Sequence, residues 1–133
     1  MKVTVDTNFF ISATQWDNSV AHKLLLKLIA QDIEIFTTKD IMEEFSRVLA
    51  RDFKYNEGEI NKIIENILII VKLVEINSKV QVVKEDPEDD KILACALDSN
   101  STHLITYDQH LLKLKEFQGI KIVTPEDFFK IID

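Results

Sequence analysis

The chain is poor in the residues that many binding motifs require. Its 133 residues include one cysteine, Cys95, and two glycines, Gly58 and Gly119. One thiol excludes an intrachain disulfide and fits a reducing compartment. Two isolated glycines exclude a P-loop and a dinucleotide fingerprint, since both need several glycines for close backbone approach to phosphate. Apolar runs such as Ile67 to Val71 are far short of the ~20 residues of a membrane span. Met1 to Asp6 carries one basic residue and then an acid, without the apolar core of a targeting segment. A cytoplasmic protein with no membrane segment is therefore expected. Basic residues are also scarce, 16 Lys and Arg against 23 Asp and Glu, for a formal charge of −7. That balance argues against a surface that wraps nucleic acid nonspecifically. It permits a metal site or a basic protein partner without proving either.

What is present is the mix of an ordinary globule, with 46% apolar and 29% charged residues. The length predicts a single domain over 1–133, burying about two-thirds of the unfolded surface without disulfide or metal. Short β-branched runs alternate with helical patterns. Val3–Val5, Ile33–Phe36, His103–Thr106 and Ile120–Val123 read as strands, and Lys72–Ile76 and Val80–Val83 as β-like. Helical spacing appears at Val20, Ala21, Leu24, Leu25, Leu28 and Ile29. It recurs at Ile41, Phe45, Val48 and Leu49, with Thr38 as N-cap. Asn56-Glu57-Gly58 reads as a turn, followed by a helix through Ile60, Ile63, Ile64, Ile67 and Val71. Asp86-Pro87 opens a helix carrying Ile92, Leu93 and Ala96, and Pro125 opens a terminal one. Strands separated by helices predict an α/β fold, a mainly parallel sheet with helices on both faces.

Geometry singles out four of the acids. Asp6 follows one strand directly, and Asp108 follows another after Tyr107. In open α/β sheets, ligands bind beyond the carboxyl ends of the strands, so these two carboxylates can share a crevice; each also suits a helix N-cap or turn. Glu44 borders the apolar face set by Ile41, Phe45 and Val48, whereas Glu43 points to the opposite side. Asp89 continues the stripe of Ile92, Leu93 and Ala96 onto the first turn of its helix. A carboxylate facing inward costs several kcal/mol unless it is paired or binds a cation. Asp6, Glu44, Asp89 and Asp108 converging would demand a cation or raised pKa values. Hard oxygen donors suit Mg²⁺ or Mn²⁺, and a phosphodiesterase acting through metal-activated water is the chemistry expected of such a site.

Four segments carry a family resemblance: VTVDTNFFISA at the start, EEFSRVL in the middle, EDPEDDKILACAL, and HLITYDQHLL…GIKIVTPEDF. Together they resemble the PIN-domain ribonucleases, most closely the VapC-like toxin components of type II toxin–antitoxin pairs, from Val3 to about Phe129. The resemblance implies a PIN-like three-layer sandwich around a central, mainly parallel sheet. It implies Mg²⁺- or Mn²⁺-dependent RNA cleavage, with Asp6, Glu44, Asp89 and Asp108 as catalytic metal ligands. Asn8 and Thr106 match supporting positions of the DTN and T-x-D segments, and Asp90 stands where a secondary contributor occurs. His110 falls at a position held by a short acid or a histidine. An RNA substrate, a cognate antitoxin protein and a homodimer are the partners it implies.

Other residues offer less. His22, His103 and His110 form no zinc pattern. Ser12 and Ser46 lack a nucleophile elbow, and Cys95 reads as a core thiol. Trp16, Phe9 and Phe10 suit packing better than base stacking. Lys39, Arg47, Arg51, Lys54 and Lys91 read as a solvated helix face or as phosphate contacts. A receiver domain would need an acidic pair after the first strand and an acceptor Asp where Thr37-Thr38 stands. A haloacid-dehalogenase-type phosphatase would need D-x-D where Asn8 interrupts. The competing expectation that remains is a catalytically silent PIN-like scaffold that binds RNA or a partner.

Overall fold

The computed structural model describes residues 1–81 and 87–132. Strand β1 (Lys2–Val5) leads straight into α1 (Thr7–Gln15), α2 (Val20–Ala30) and β2 (Glu34–Thr37). α3 (Lys39–Phe53), α4 (Glu57–Ile70), β3 (Val71–Leu73) and α5 (Pro87–Asp98) follow. The chain closes with β4 (His103–Ile105), α6 (Gln109–Leu112), β5 (Glu116–Phe117), β6 (Ile120–Val123) and α7 (Pro125–Ile131).

The strand order is β3-β2-β1-β4-β6-β5. All neighbours are parallel except β5 and β6, which pair antiparallel. Gln118 and Gly119 join that pair, both with positive φ (47° and 84°), as a two-residue hairpin turn matched to strand twist requires. Val3 and Val5 project to one face of β1 and Thr4 to the other, and all three are fully buried. Both faces of the sheet are therefore covered, which gives the expected α/β layers. On the Thr4 face, its hydroxyl meets Ser101 at 2.8 Å and Ser99 at 3.3 Å, in the chain that leaves α5. The rest of the core is mainly apolar, with Phe10 of α1 stacked on Phe45 of α3 at 5.7 Å between ring centroids.

Three local expectations are corrected. Residues 56–58 are not a free turn: Asn56 caps α4, accepting from Glu59 N at 2.8 Å, while the Glu59 carboxylate accepts from Asn56 N at 3.0 Å. This capping box pulls Glu57 and Gly58 into the helix. The strand expected over Lys72–Ile76 starts at Val71 and ends at Leu73. Val74 N makes the last bond to Thr37 O, at 2.8 Å. Val80 is in no strand, and residues 82 and 83 of that β-like stretch, like Asp86, lie outside the described residues. Helix α1 was not readable from TNFFISATQ, whose β-branched and aromatic residues favour helix poorly. It forms because Asp6 caps it and because Phe9, Phe10 and Ala13 are buried along it.

Candidate active site

The strand order reverses around β1 and β4. Chain leaving β1 builds outward through β2 and β3, while β4 and β6 lie on the other side. A crevice forms at such a switch point, beyond the carboxyl ends of the strands. Here it is a cleft of about 680 Å³ lined by Asp6, Glu44, Asp89 and Asp108 together.

Asp6 stands at the exit of β1. One carboxylate oxygen accepts from Phe9 N at 3.0 Å and caps α1. The other accepts from the Thr106 hydroxyl at 2.5 Å. With one donor on each oxygen, the carboxylate is fixed in orientation. Burial pushes its pKa above the ordinary carboxylate value, as does the charge of Asp108, against the lowering by the bonds from Thr106 and Phe9. Thr106 is fully buried at the exit of β4. Its hydroxyl also accepts from Asp108 N at 2.9 Å, so one side chain ties the ends of both central strands together.

Asp108 caps α6, accepting from His110 N at 2.8 Å. Asp6 and Asp108 thus cap helices and line the cleft at once. Asp89, on the first turn of α5, has 13% of its side chain exposed. Asp89, Asp108 and His110 each offer a ligand atom, and these atoms lie within 4.8 Å of one another. His110 Nδ1 is 3.7 Å from the Asp108 carboxylate and 4.0 Å from that of Asp89. The T-x-D-x-H spacing held the signal for His110, whose backbone N–H is the donor that the Asp108 cap accepts.

Glu44 reaches the cleft from α3, its carboxylate accepting from the Thr7 hydroxyl at 3.1 Å. The expected contrast with Glu43 is only partly present. Both glutamates are exposed and both line the cleft, because the first half of α3 runs along its edge. They differ in partner: Glu43 lies 4.0 Å from Lys39 on the solvent side. Asn8 lines the cleft, whereas Asp90 is not among its lining residues. Arg47, Arg51 and Lys91 line it too; Lys39 and Lys54 do not.

The other candidates are structural. His22 Nδ1 lies 2.8 Å from Ala13 O, and buried His103 meets Thr102 and the Phe128 ring. Phe9 and Phe10 are core, and Trp16 packs edge-on against Phe53. Ser46 donates to Met42 O within its helix. Burial pushes the Cys95 thiol up to about 12.

The donor set fits a divalent cation. Three carboxylates with an imidazole beside two of them supply the hard oxygen donors that Mg²⁺ and Mn²⁺ prefer, and Mn²⁺ also accepts a nitrogen.

A family model described as PIN domain matches residues 2–110. The uncharacterized protein MJ1680 of Methanocaldococcus jannaschii is 28% identical over 142 residues, spanning 98% of this chain and 90% of that one. The fold is similar to the crystal structure of VapBC2 from Rickettsia felis bound to a DNA fragment from their promoter. That similarity has a TM-score of 0.64 at 14% identity, over 92% of this chain and 97% of the other. It is also similar to PAE2754 from Pyrobaculum aerophilum, with a TM-score of 0.51 at 16% identity over 99% and 98% of the two chains. At these identities the two structural likenesses are likenesses of fold. Among the described residues, no helix is long and apolar enough to cross a membrane.

Proposed function

The chain belongs to the PIN domain family, and from that premise we propose that it is an endoribonuclease dependent on Mg²⁺ or Mn²⁺. The observation that carries this reading is the meeting of Asp6, Glu44, Asp89 and Asp108 in one cleft at the switch point of the sheet. Asp6, Asp89 and Asp108 would hold the cation, with Glu44 on the facing wall and His110 beside Asp89 and Asp108. A divalent ion there supplies charge to polarise the phosphate, to acidify water and to steady the leaving oxygen.

The protein's own residues supply the positioning. Thr106 and the Phe9 N–H hold both oxygens of Asp6, leaving their remaining lone pairs to the cleft. Thr7 holds Glu44, and Asn8 stands beside them to meet the substrate. These supports keep mutually repelling carboxylates in place before substrate arrives, which lowers the reorganisation needed in the transition state.

The biological role that fits is that of the toxin in a toxin–antitoxin pair, acting in the cytoplasm as a homodimer. Its antitoxin would place a basic segment into the acidic cleft, where charge complementarity favours it.

The test is incubation of a labelled mixed RNA pool with the purified protein in Mg²⁺, Mn²⁺ or EDTA, alongside Asp89→Asn. Cuts inside strands that need metal and vanish in the variant are the expected result. Cutting that persists in EDTA, or at equal rate in the variant, contradicts the assignment.

A further inference from the structure

The cleft is acidic at its centre but not throughout. Along α3 its lining changes sign: Asp40, Glu43 and Glu44 come from the first half of the helix, Arg47 and Arg51 from the second. Glu44, Arg47 and Arg51 are spaced i, i+3 and i+7, which places them on one helix face. With a rise of ~1.5 Å per residue, the arginines sit about 4.5 and 10.5 Å along the axis beyond Glu44.

The arginines do not serve to neutralise the carboxylates. Among the described residues, Arg47 makes no ion pair, and Arg51 pairs with Asp52, which lies outside the cleft lining, at 2.8 Å. Neither is paired to Asp6, Glu44, Asp89 or Asp108, although the Glu44 charge is felt at Arg51. On the facing wall Lys91 lies 3.8 Å from Asp40. The Arg51–Asp52 pair is between neighbouring, exposed residues, with half or more of each side chain in solvent, the kind readily exchanged for a better partner. Two guanidinium forks in line with an acidic centre match the repeat of a polyanion, each offering bidentate bonds to a phosphate.

We infer that Arg47 and Arg51 form a backbone-phosphate subsite, which holds the RNA strand next to the phosphate engaged by the carboxylates. This rests on the nuclease reading for its substrate, and it explains how a protein of net negative charge takes hold of RNA. Binding draws on two local cations rather than on a basic surface. A strand held along α3 continues past the cut, which selects internal bonds.

The experiment measures binding of a fluorescent single-stranded RNA in EDTA by anisotropy, from about 50 to about 200 mM salt. It compares wild type, the double variant Arg47→Ala/Arg51→Ala, and Lys62→Ala as a charge-loss control on α4. All three side chains are on exposed residues, so the fold is not at risk. Each lost phosphate contact reduces the slope of log K against log salt by about 0.7. The double variant is therefore expected to lose about 1.4 of slope while the control keeps the wild-type value. In the cleavage assay the same variant raises KM with kcat close to wild type. A slope equal to wild type, or no RNA binding by wild type at the lowest salt, overturns the subsite. A lowered slope in a protein that cleaves nothing supports the subsite and overturns the nuclease reading instead.

Discussion

Thr106 donates its hydroxyl proton to Asp6 across a sequence separation of 100 residues, at 2.5 Å. The same oxygen accepts the Asp108 N–H at 2.9 Å. One buried hydroxyl therefore ties the Asp6 carboxylate to the Asp108 backbone at the ends of the central strands. Thr106→Val keeps the shape but strands the Asp108 N–H and removes a donor from Asp6. It is expected to cost about 1–3 kcal/mol of stability and to lower cleavage about 10- to 100-fold, while Thr106→Ser retains most of both. Denaturant unfolding and initial cleavage rates on the three proteins check this.

Asp6→Asn is expected to separate catalysis from folding. Asn caps a helix about as well as Asp, and its amide can donate to Thr106 in place of the present bond. The sign of the charge effect follows from burial, which raises the Asp6 pKa. An acid with a raised folded pKa binds its proton more tightly in the folded state, so its ionisation costs stability as pH rises through that range. Removing the charge is expected to leave the neutral-pH Tm unchanged or higher while abolishing metal-dependent cleavage. A large fall in Tm would contradict this description of Asp6.

Glu44 and Glu43 both face the cleft edge, but only Glu44 is held by a hydrogen bond from Thr7. Glu44→Gln is expected to lower the cleavage rate at least about tenfold, as is typical when a metal site's anchored groups are disturbed. Glu43→Gln, which removes only an exposed partner of Lys39, is expected to leave the rate near wild type. Equal losses in steady-state rates would show that the two glutamates share the work.

Cys95 is fully buried, and its thiol is pushed up to about 12. The thiolate is the reactive form, so alkylation by iodoacetamide at neutral pH is expected to be negligible in the folded protein and rapid in denaturant. Mass spectrometry after timed quenching reads this out. Quick labelling without denaturant would mean that the α5 packing opens.

Much of this site was legible because parallel sheets obey a simple rule. Apolar strands ending in acids, as at Asp6 and Asp108, mark the crevice once the strands are known to be parallel. Asp89 was separable from Asp90 because helix phase distinguishes an inward position from its neighbour. The same argument served less well for Glu44 and Glu43, since the start of α3 lies along a cleft edge where both faces meet the cavity. Asn56-Glu57-Gly58 has the composition of a turn, and only the reciprocal bonds of Asn56 and Glu59 reveal a helix start. Helix α1 was hidden because burial of Phe9 and Phe10, not propensity, stabilises it. Arg47 and Arg51 could not be told from a solvated face, because their place beside the carboxylates depends on how α3 crosses the sheet.

The proposed chemistry requires the carboxylates to form a divalent cation site, and calorimetric titration of Mn²⁺ into the RNA-free protein tests that most directly. Saturable binding by wild type is expected, weakened about tenfold or more in Asp89→Asn and in Asp108→Asn, with the folded far-UV spectrum unchanged. No saturable binding by wild type, or equal affinity in all three proteins, would contradict it.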